Sequence, residues 1–374
     1  MENMRVCFGK DLISIGDLCQ MIGEKQVANL SQLKFAMASS IFLSVFIFGL
    51  FIFAIVHILV PDVKTGFFIA IGGSVLFILL QYAIGPAMVS MSTKLKYVKP
   101  GESPWLENTV KELADKSGLP MPKLAIVPNN TPNAFTFGRT TRSATLAVHE
   151  GLLRQLNQGE IRGVIAHELG HIKHKDYVIM TVLSALPLIA YMIARATLFA
   201  NIFSNAGRRN KKDNGGAILL IIGVVSFFVY IITFLIVMRL SRLREHFADA
   251  FAAYVTSSPR DLESALAKIT YGLSISPKPP EGARAFYIGD PTTAKQDIKR
   301  IIENKNKYDL DKDGVLDERE LQMAMEKEAH DTWTQLNGMF ATHPPTFKRI
   351  LLLKEIENEM DTGKYANDEM YSHI

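Results

Sequence analysis

The sequence predicts a mostly α membrane protein in which four hydrophobic helices, each transmembrane or one arm of a hairpin, carry an α+β domain with a small antiparallel sheet. Three observations predict it. Apolar residues make up 48% of the 374-residue chain and charged residues 21%, and the apolar ones gather in blocks, unlike the spread of one soluble domain. Four such blocks, about residues 35–60, 67–88, 178–200 and 217–238, reach the ~20 residues that cross a ~30 Å hydrocarbon core. Between the second and third blocks the pattern changes to short strands and helices with a polar face. The organisation that follows is an N-terminal tail over 1–34, two transmembrane helices over 35–88, a first part of the folded domain over 89–177, a hydrophobic hairpin over 178–238 and a second part over 239–374.

The tail carries Glu2, Asp11 and Asp17 and no cleavable leader pattern, so the first span is expected to stay as an anchor. Basic residues beside the spans set the orientation: Arg5, Lys10, Lys25 and Lys34 precede the first, only Lys64 follows it, and Lys94, Lys96 and Lys99 follow the second. That pattern places the tail and the folded domain in the cytoplasm. Arg208, Arg209, Lys211 and Lys212 at the hairpin tip run against a simple reading. The two parts of the folded domain must nevertheless lie on one side, so the hairpin crosses an even number of times or not at all. Arg195 is the one charge within the spans, and its default reading is a side chain that snorkels to the headgroups; a role in admitting substrate is the sharper alternative. Cys7 and Cys19 fall in the tail outside any metal-like cluster. With 41 basic against 37 acidic residues the net charge of +4 makes no case for nucleic acid.

The folded domain reads in order as follows. Ser103-Pro104-Trp105, with Leu106, Val110 and Leu113, is an N-capped helix with proline in its first turn. Residues 124–127, 133–137 and 143–148 are strands, the last two joined by a turn at 138–142. A short helix over 150–156 leads into another starting near Glu160. An exposed edge of the sheet can take a peptide as an added strand, with backbone hydrogen bonds that ignore side-chain sequence.

That last helix contains His167-Glu168-Leu169-Gly170-His171. Two histidines four apart share one helix face and can grip one Zn²⁺, and the glutamate between them can act as general base. The run turns polar and then enters the third hydrophobic block, which puts the site at a membrane surface. Catalytic zinc needs a third protein ligand and an open position for water. Glu245 is the candidate; Asp249, one helical turn later, can hydrogen-bond the far nitrogen of a ligand histidine and fix its orientation. His174 lacks the spacing of a third histidine ligand and is expected to be solvated near the headgroups. The same default covers His57, His149, His246, His330 and His373.

At this point the chain resembles the M48 family of membrane zinc metallopeptidases, within it the HtpX-like heat-shock proteases. The resemblance rests on the His167–His171 run with downstream Asp176, on Glu245 with Ala248-Asp249, on Asn133-Ala134-Phe135, and on Thr342-His343-Pro344-Pro345-Thr346, over roughly residues 35–355. It implies a gluzincin-type zinc peptidase domain, His167, His171 and Glu245 as zinc ligands, Glu168 as catalytic base, and the multi-pass plasma membrane of a bacterium or archaeon. It also points to Asn133, Ala134 and Phe135 as the substrate-binding edge, against the alternative that Phe135 is core. His343 is the candidate catalytic donor to the oxyanion, because two prolines fix its backbone and the family's His-Pro motif implies a place near the cleft; the alternative is a helix-start turn capped by Thr342 or Thr346. His246 departs from the family, which often has an aromatic residue there.

A second motif precedes His343. Residues 309–320 match each defined position of a twelve-residue EF-hand loop: Asp309, Asp311, Asp313, the Val315 carbonyl, Asp317 and Glu320 as Ca²⁺ ligands, with Gly314 at the sharp turn. The alternative is a solvated acidic turn between helices. The expected cofactors are therefore Zn²⁺ and, at this loop, Ca²⁺. The expected partners are polypeptide substrates, chiefly membrane proteins, and the lipid bilayer. The leading function is a membrane-anchored endopeptidase that removes misfolded or damaged membrane proteins. A site-2-type intramembrane protease would place the histidine pair inside a span, whereas Arg162, Lys173 and Lys175 flank it. A non-catalytic zinc and calcium scaffold would need no Glu168, and a transporter would need ionisable residues in its spans.

Overall fold

The computed structural model describes residues 5–8, 11–14, 30–59, 62–206, 215–275, 287–289, 294–295, 299, 307, 310, 341 and 343–362. The chain begins with a hairpin, β1 (Arg5–Phe8) against β2 (Asp11–Ser14), within the segment read from sequence as a tail. Four long helices follow the apolar blocks: α1 (Leu30–Leu59), α2 (Val63–Thr93), α6 (Asp176–Ala206) and α7 (Gly215–Thr256). Among the described residues these four are long and apolar enough to cross a membrane.

Helices α1, α6 and α7 pack through Phe48, Phe51, Ile52, Val56, Leu183, Leu186, Ala190, Val237 and Leu240. Helix α2 stands at the rim, none of its apolar window being buried against a third or so for the others. Pro86 in α2 and Pro187 in α6 interrupt helical hydrogen bonds, which packed neighbours can re-satisfy. Just before Pro86, the Tyr82 hydroxyl donates to the Arg139 carbonyl at 2.6 Å and the Arg139 guanidinium donates to the Ala83 carbonyl, tying a turn of the sheet to α2. Helix α7 runs 42 residues, about 63 Å at 1.5 Å per residue, roughly twice a hydrocarbon core. The span and the Glu245 segment, separate in the sequence reading, are thus one rod.

Between the two pairs of long helices lies a four-stranded sheet in the order β3 (Lys96–Tyr97), β4 (Lys123–Val127), β6 (Thr145–His149), β5 (Ala134–Phe137). It is mixed, which corrects the expected antiparallel sheet: β3 with β4 and β5 with β6 are antiparallel, but β4 and β6 are parallel. The loop after β4 carries the chain out to the edge for β5, and the tight return through a 3₁₀ turn at Thr141–Ser143 drops β6 between them. Residues of β6 are buried on both faces, and a strand covered on both sides reads as a continuous apolar run. Leu124, Ala134, Leu146 and Val148 face the helices. Ala125, Val127, Phe135, Phe137 and Ala147 face the other way, onto Val89 of α2.

Helix α3 (Pro104–Lys116) starts with proline as expected, but the Ser103 side chain makes no cap; the Glu107 carboxylate accepts from the Ser103 and Gly101 N–H groups at 3.0 Å. Helix α4 (Glu150–Gln155) leads to α5 (Gln158–Lys173), whose start is a reciprocal cap between Asn157 and Glu160. Helix α5 is wedged against α7 and against α8 (Pro259–Ile275) by missing side chains. A Cβ at Gly163 would lie 3.0 Å from the Leu262 nitrogen, and one at Gly170 3.1 Å from Phe251. Helix α9 (Thr346–Asp361) closes the domain over α8.

Glu263 of α8 is 6% exposed. Its carboxyl is pushed up to about 7 by burial, with Glu357 of α9 adding repulsion and Lys354 and Arg260 opposing it. The folded chain therefore holds this proton to higher pH than the unfolded chain does. The associated stability is complete below the ordinary glutamate value and is lost as pH rises through about 7. Glu263→Gln is expected to match the parent in thermal unfolding in detergent at pH 5 and to exceed it at pH 8; equal midpoints at both would refute the assignment.

Candidate metal centre

His167 and His171 lie one turn apart on α5 with their Nε2 atoms facing each other at 3.1 Å. Glu245 enters from α7, its Oε2 lying 3.5 Å from His167 Nε2 and its Oε1 3.5 Å from His171 Nε2. Two ligand atoms 2.0–2.1 Å from a tetrahedral zinc sit about 3.3 Å apart, so this triangle has the dimensions of the donor set. All three residues can present one ligand atom to a common point. Glu245 Oε2 is buried and makes no well-aligned hydrogen bond, its neighbours being His167 Nε2 and a guanidinium nitrogen of Arg349 at 3.3 Å. The residues fit a zinc ion.

The far nitrogens are held by carboxylates. His167 Nδ1 lies 2.9 Å from Asp249 Oδ1, and His171 Nδ1 lies 2.7 Å from Asp176 Oδ2. A carboxylate on the second nitrogen fixes tautomer and ring plane. Asp249 was anticipated in this place by its spacing from Glu245. Asp176 was noted only as part of the family pattern, although it sits five residues beyond His171; its other oxygen accepts from Arg244, which also donates to the His174 carbonyl at 3.0 Å.

Arg349 is the residue that the sequence reading missed. It is 1% exposed and grips Asp249 with both arms, Nε to Oδ2 at 2.8 Å and an NH2 to Oδ1 at 2.7 Å, with its other terminal nitrogen 3.3 Å from Glu245 Oε2. A bidentate guanidinium is the strongest form of such a pair. The signal was there: Arg349 stands in phase with Leu353 and Ile356 on the buried face of α9, where a charge needs a partner.

Glu168 is 3% exposed. Burial pushes its carboxyl up, while the imidazoles of His171 and His167 and a hydrogen bond from Thr136 of β5 pull it down. His343 is also buried, its Nε2 3.7 Å from Glu245 Oε1. Asn133, Ala134 and Phe135 are buried at the start of the edge strand β5, and the Phe135 ring lies in the core, 6.0 Å from the rings of Phe137 and His149. The edge and core readings therefore describe different atoms: the strand's backbone is at the edge, and the phenyl ring is inside.

Among the described residues, His149 and His174 depart from the solvated default. His149 is buried, which lowers its pKa, and its Nδ1 lies 2.9 Å from the Thr131 carbonyl. His174 is pushed down to about 3 by burial, assisted by the charges of Arg244 and His171, and packs edge-on against Phe247 and Phe251. Of the EF-hand-like loop only Leu310 lies among the described residues; Asp309, Asp311, Asp313, Val315, Asp317 and Glu320 lie outside them.

A helix-borne histidine pair with an intervening glutamate, completed by a carboxylate from a second helix next to four apolar helices, defines a zinc metallopeptidase of membrane type. A model described as peptidase family M48 matches residues 100–357, and the chain belongs to that family. It is 32% identical to a protein named Protease HtpX homolog from Aeropyrum pernix over 294 residues, 76% of this chain and 84% of that one. It is 37% identical to the Protease HtpX homolog of Methanothermobacter thermautotrophicus over 62% of this chain and 84% of that one. The Protease HtpX homolog 2 of Methanosarcina mazei is 35% identical, covering 76% and 83%. The crystal structure of S. mikatae Ste24p aligns over 90% of this chain and 66% of that one, with 16% identity and a TM-score of 0.46.

Arg349→Met leaves two buried carboxylates without their counter-charge. It is expected to lower unfolding stability by about 3–5 kcal/mol, measured by denaturant titration in detergent. A loss under about 1 kcal/mol would mean that the guanidinium is not what holds Asp249.

Proposed function

We propose that the protein is a membrane-anchored endopeptidase that cuts exposed or misfolded cytoplasmic segments of membrane proteins, with Zn²⁺ held by His167, His171 and Glu245. The observation that carries this reading is the convergence of those three donors beside Glu168, with Glu245 brought by a helix whose other half has the length and apolarity of a membrane span. The bound ion would act as a Lewis acid that acidifies water and polarises the scissile carbonyl. Glu168, buried between the two histidines, takes the proton of the attacking water and passes it to the leaving amine. His343 donates to the oxyanion as the carbonyl carbon becomes tetrahedral. The outer edge of β5 receives the substrate backbone as an added strand, which suits an enzyme that must accept many sequences.

The cytoplasmic facing of the site rests on the distribution of basic residues beside the spans, and the plasma-membrane location on the family resemblance. A site-2-type intramembrane reading is disfavoured because α5 is not one of the four apolar helices. A scaffold reading is disfavoured by the buried carboxylate of Glu168, whose burial costs free energy without a use for it. Calcium binding at residues 309–320 is supported by ligand spacing alone.

Casein cleavage by detergent-purified Glu168→Gln is expected to fall at least ~10²-fold with zinc content unchanged. Cleavage at the parent rate would remove Glu168 from the mechanism. His343→Ala should cost about 10²–10³ in kcat with KM little altered; an effect confined to KM would make it a binding residue instead.

A further inference from the structure

A chain of hydrogen bonds leads from the edge strand to the metal centre. The Asn133 side-chain oxygen accepts from the Ile288 N–H at 2.9 Å. The carbonyl of the same residue, Ile288, accepts from Arg349 NH1. Arg349 holds Asp249 by two bonds, and Asp249 lies 2.9 Å from His167 Nδ1. At the strand end, the Asn133 carbonyl accepts from the His149 N–H at 2.9 Å, which continues the β5 to β6 ladder by one position. Asn133, Ile288, Arg349, Asp249 and His167 are each at most 3% exposed. Water therefore cannot replace a bond that is lost, and each break leaves a buried polar group unsatisfied.

From this geometry we infer that Asn133 is a positioning residue whose side-chain oxygen couples the start of the substrate-receiving strand to the orientation of the His167 imidazole, through the Ile288 peptide unit, Arg349 and Asp249. This goes beyond the edge-strand expectation, in which Asn133 serves the substrate. Its acceptor atom is engaged inside the protein, and its effect on the reaction runs through the metal ligand. Ile288 is the mechanical link. It packs in the same core as Ala134, Leu146 and Val148, so β5, the 287–289 segment and α9 are held as one body around His167. A substrate strand that pairs with β5 would thus dock on a surface already in register with the metal. The inference rests on the reading of His167 as a zinc ligand.

Asn133→Ala and Asn133→Ser both take the acceptor out of reach of the Ile288 N–H without burying a charge. Zinc release to a chromophoric chelator and the KM and kcat for a peptide substrate are measured on the full chain in detergent. Changes next to a metal's ligands cost about 10–100-fold in affinity or activity; several bonds further out, Asn133→Ala is expected to speed zinc release about fivefold and lower kcat, with KM within about twofold. Asn133→Ser is expected to change zinc release and kcat in the same direction, with KM within about twofold. In Arg349→Lys the alanine substitution should add little more to zinc release, since the path is already cut; full additivity would overturn the coupling. Parent-like zinc release from Asn133→Ala overturns the inference. If that variant does not fold, Asn133→Ser decides: faster zinc release with a parent-like KM supports the inference, whereas parent-like release, or a raised KM with unchanged release, overturns it. A parent chain that binds no zinc would instead overturn the metal-centre reading on which the inference stands.

Discussion

Two carboxylates one turn apart on α7, Glu245 and Asp249, must be kept charged in a place where almost no water reaches them, and the arrangement around the centre follows from that requirement. Asp249 is fully buried and Glu245 is 7% exposed. A pair of like charges so placed is stable only against concentrated positive charge. Arg349 supplies one unit to both, and the imidazole of His167 lies against both. Arg349 reaches Glu245 Oε2 at ion-pair distance, 3.3 Å, without a well-aligned hydrogen bond, and shares its single charge with Asp249. A divalent cation between Glu245 and the two Nε2 atoms completes the charge balance. The metal reading is thus a statement about what this cluster lacks as well as about a motif.

Placement of that cluster depends on rigid elements that come from distant parts of the chain. Helix α5 brings the histidines and Glu168, and Gly163 and Gly170 let it approach α8 and α7 closely. Helix α7 brings the carboxylates at the end of a rod whose first half is apolar. Helix α9 brings Arg349, entered through the turn at His343, Pro344 and Pro345. Meanwhile the sheet turns one face to the helices and the other to Val89 of α2, and Arg139 fastens its hairpin turn to the same helix. The edge strand β5 and the histidine-bearing helix α5 are therefore both anchored directly to apolar helices. A protease built this way has its cleft fixed with respect to those helices, without a flexible tether.

Much of the centre was legible in the sequence because its logic is local. His167 and His171, or Glu245 and Asp249, are pairs four residues apart, and a helix puts such pairs on one face whatever surrounds it. The four apolar blocks were legible for the same reason, since length and composition alone decide whether a helix can span. What stayed hidden depends on contacts between remote segments. Strand β6 could not be read as central, because its parallel pairing with β4 depends on the loop after Val127 carrying β5 past it. Arg349 carries no local motif of its own, and its phase with Leu353 and Ile356 is the one sign of burial in the sequence. Asp176 lies beyond the end of α5, and only the turn at Lys175, with a φ of 56°, brings it back to His171. His149 and His174 were assigned to solvent by residue type, whereas the aromatic rings around them are contributed by the edge strand, the 287–289 segment and α7.

The central claim is that two helices separated by a hydrophobic hairpin share one zinc ion. X-ray absorption at the zinc edge on the detergent-purified protein tests it most directly. Two imidazole nitrogens and carboxylate oxygen, at about 2.0–2.2 Å, with a further light-atom ligand from solvent, are the predicted first shell, and Glu245→Ala should lose the carboxylate contribution while retaining both imidazoles. A shell containing sulfur, or one unchanged by Glu245→Ala, would contradict the account.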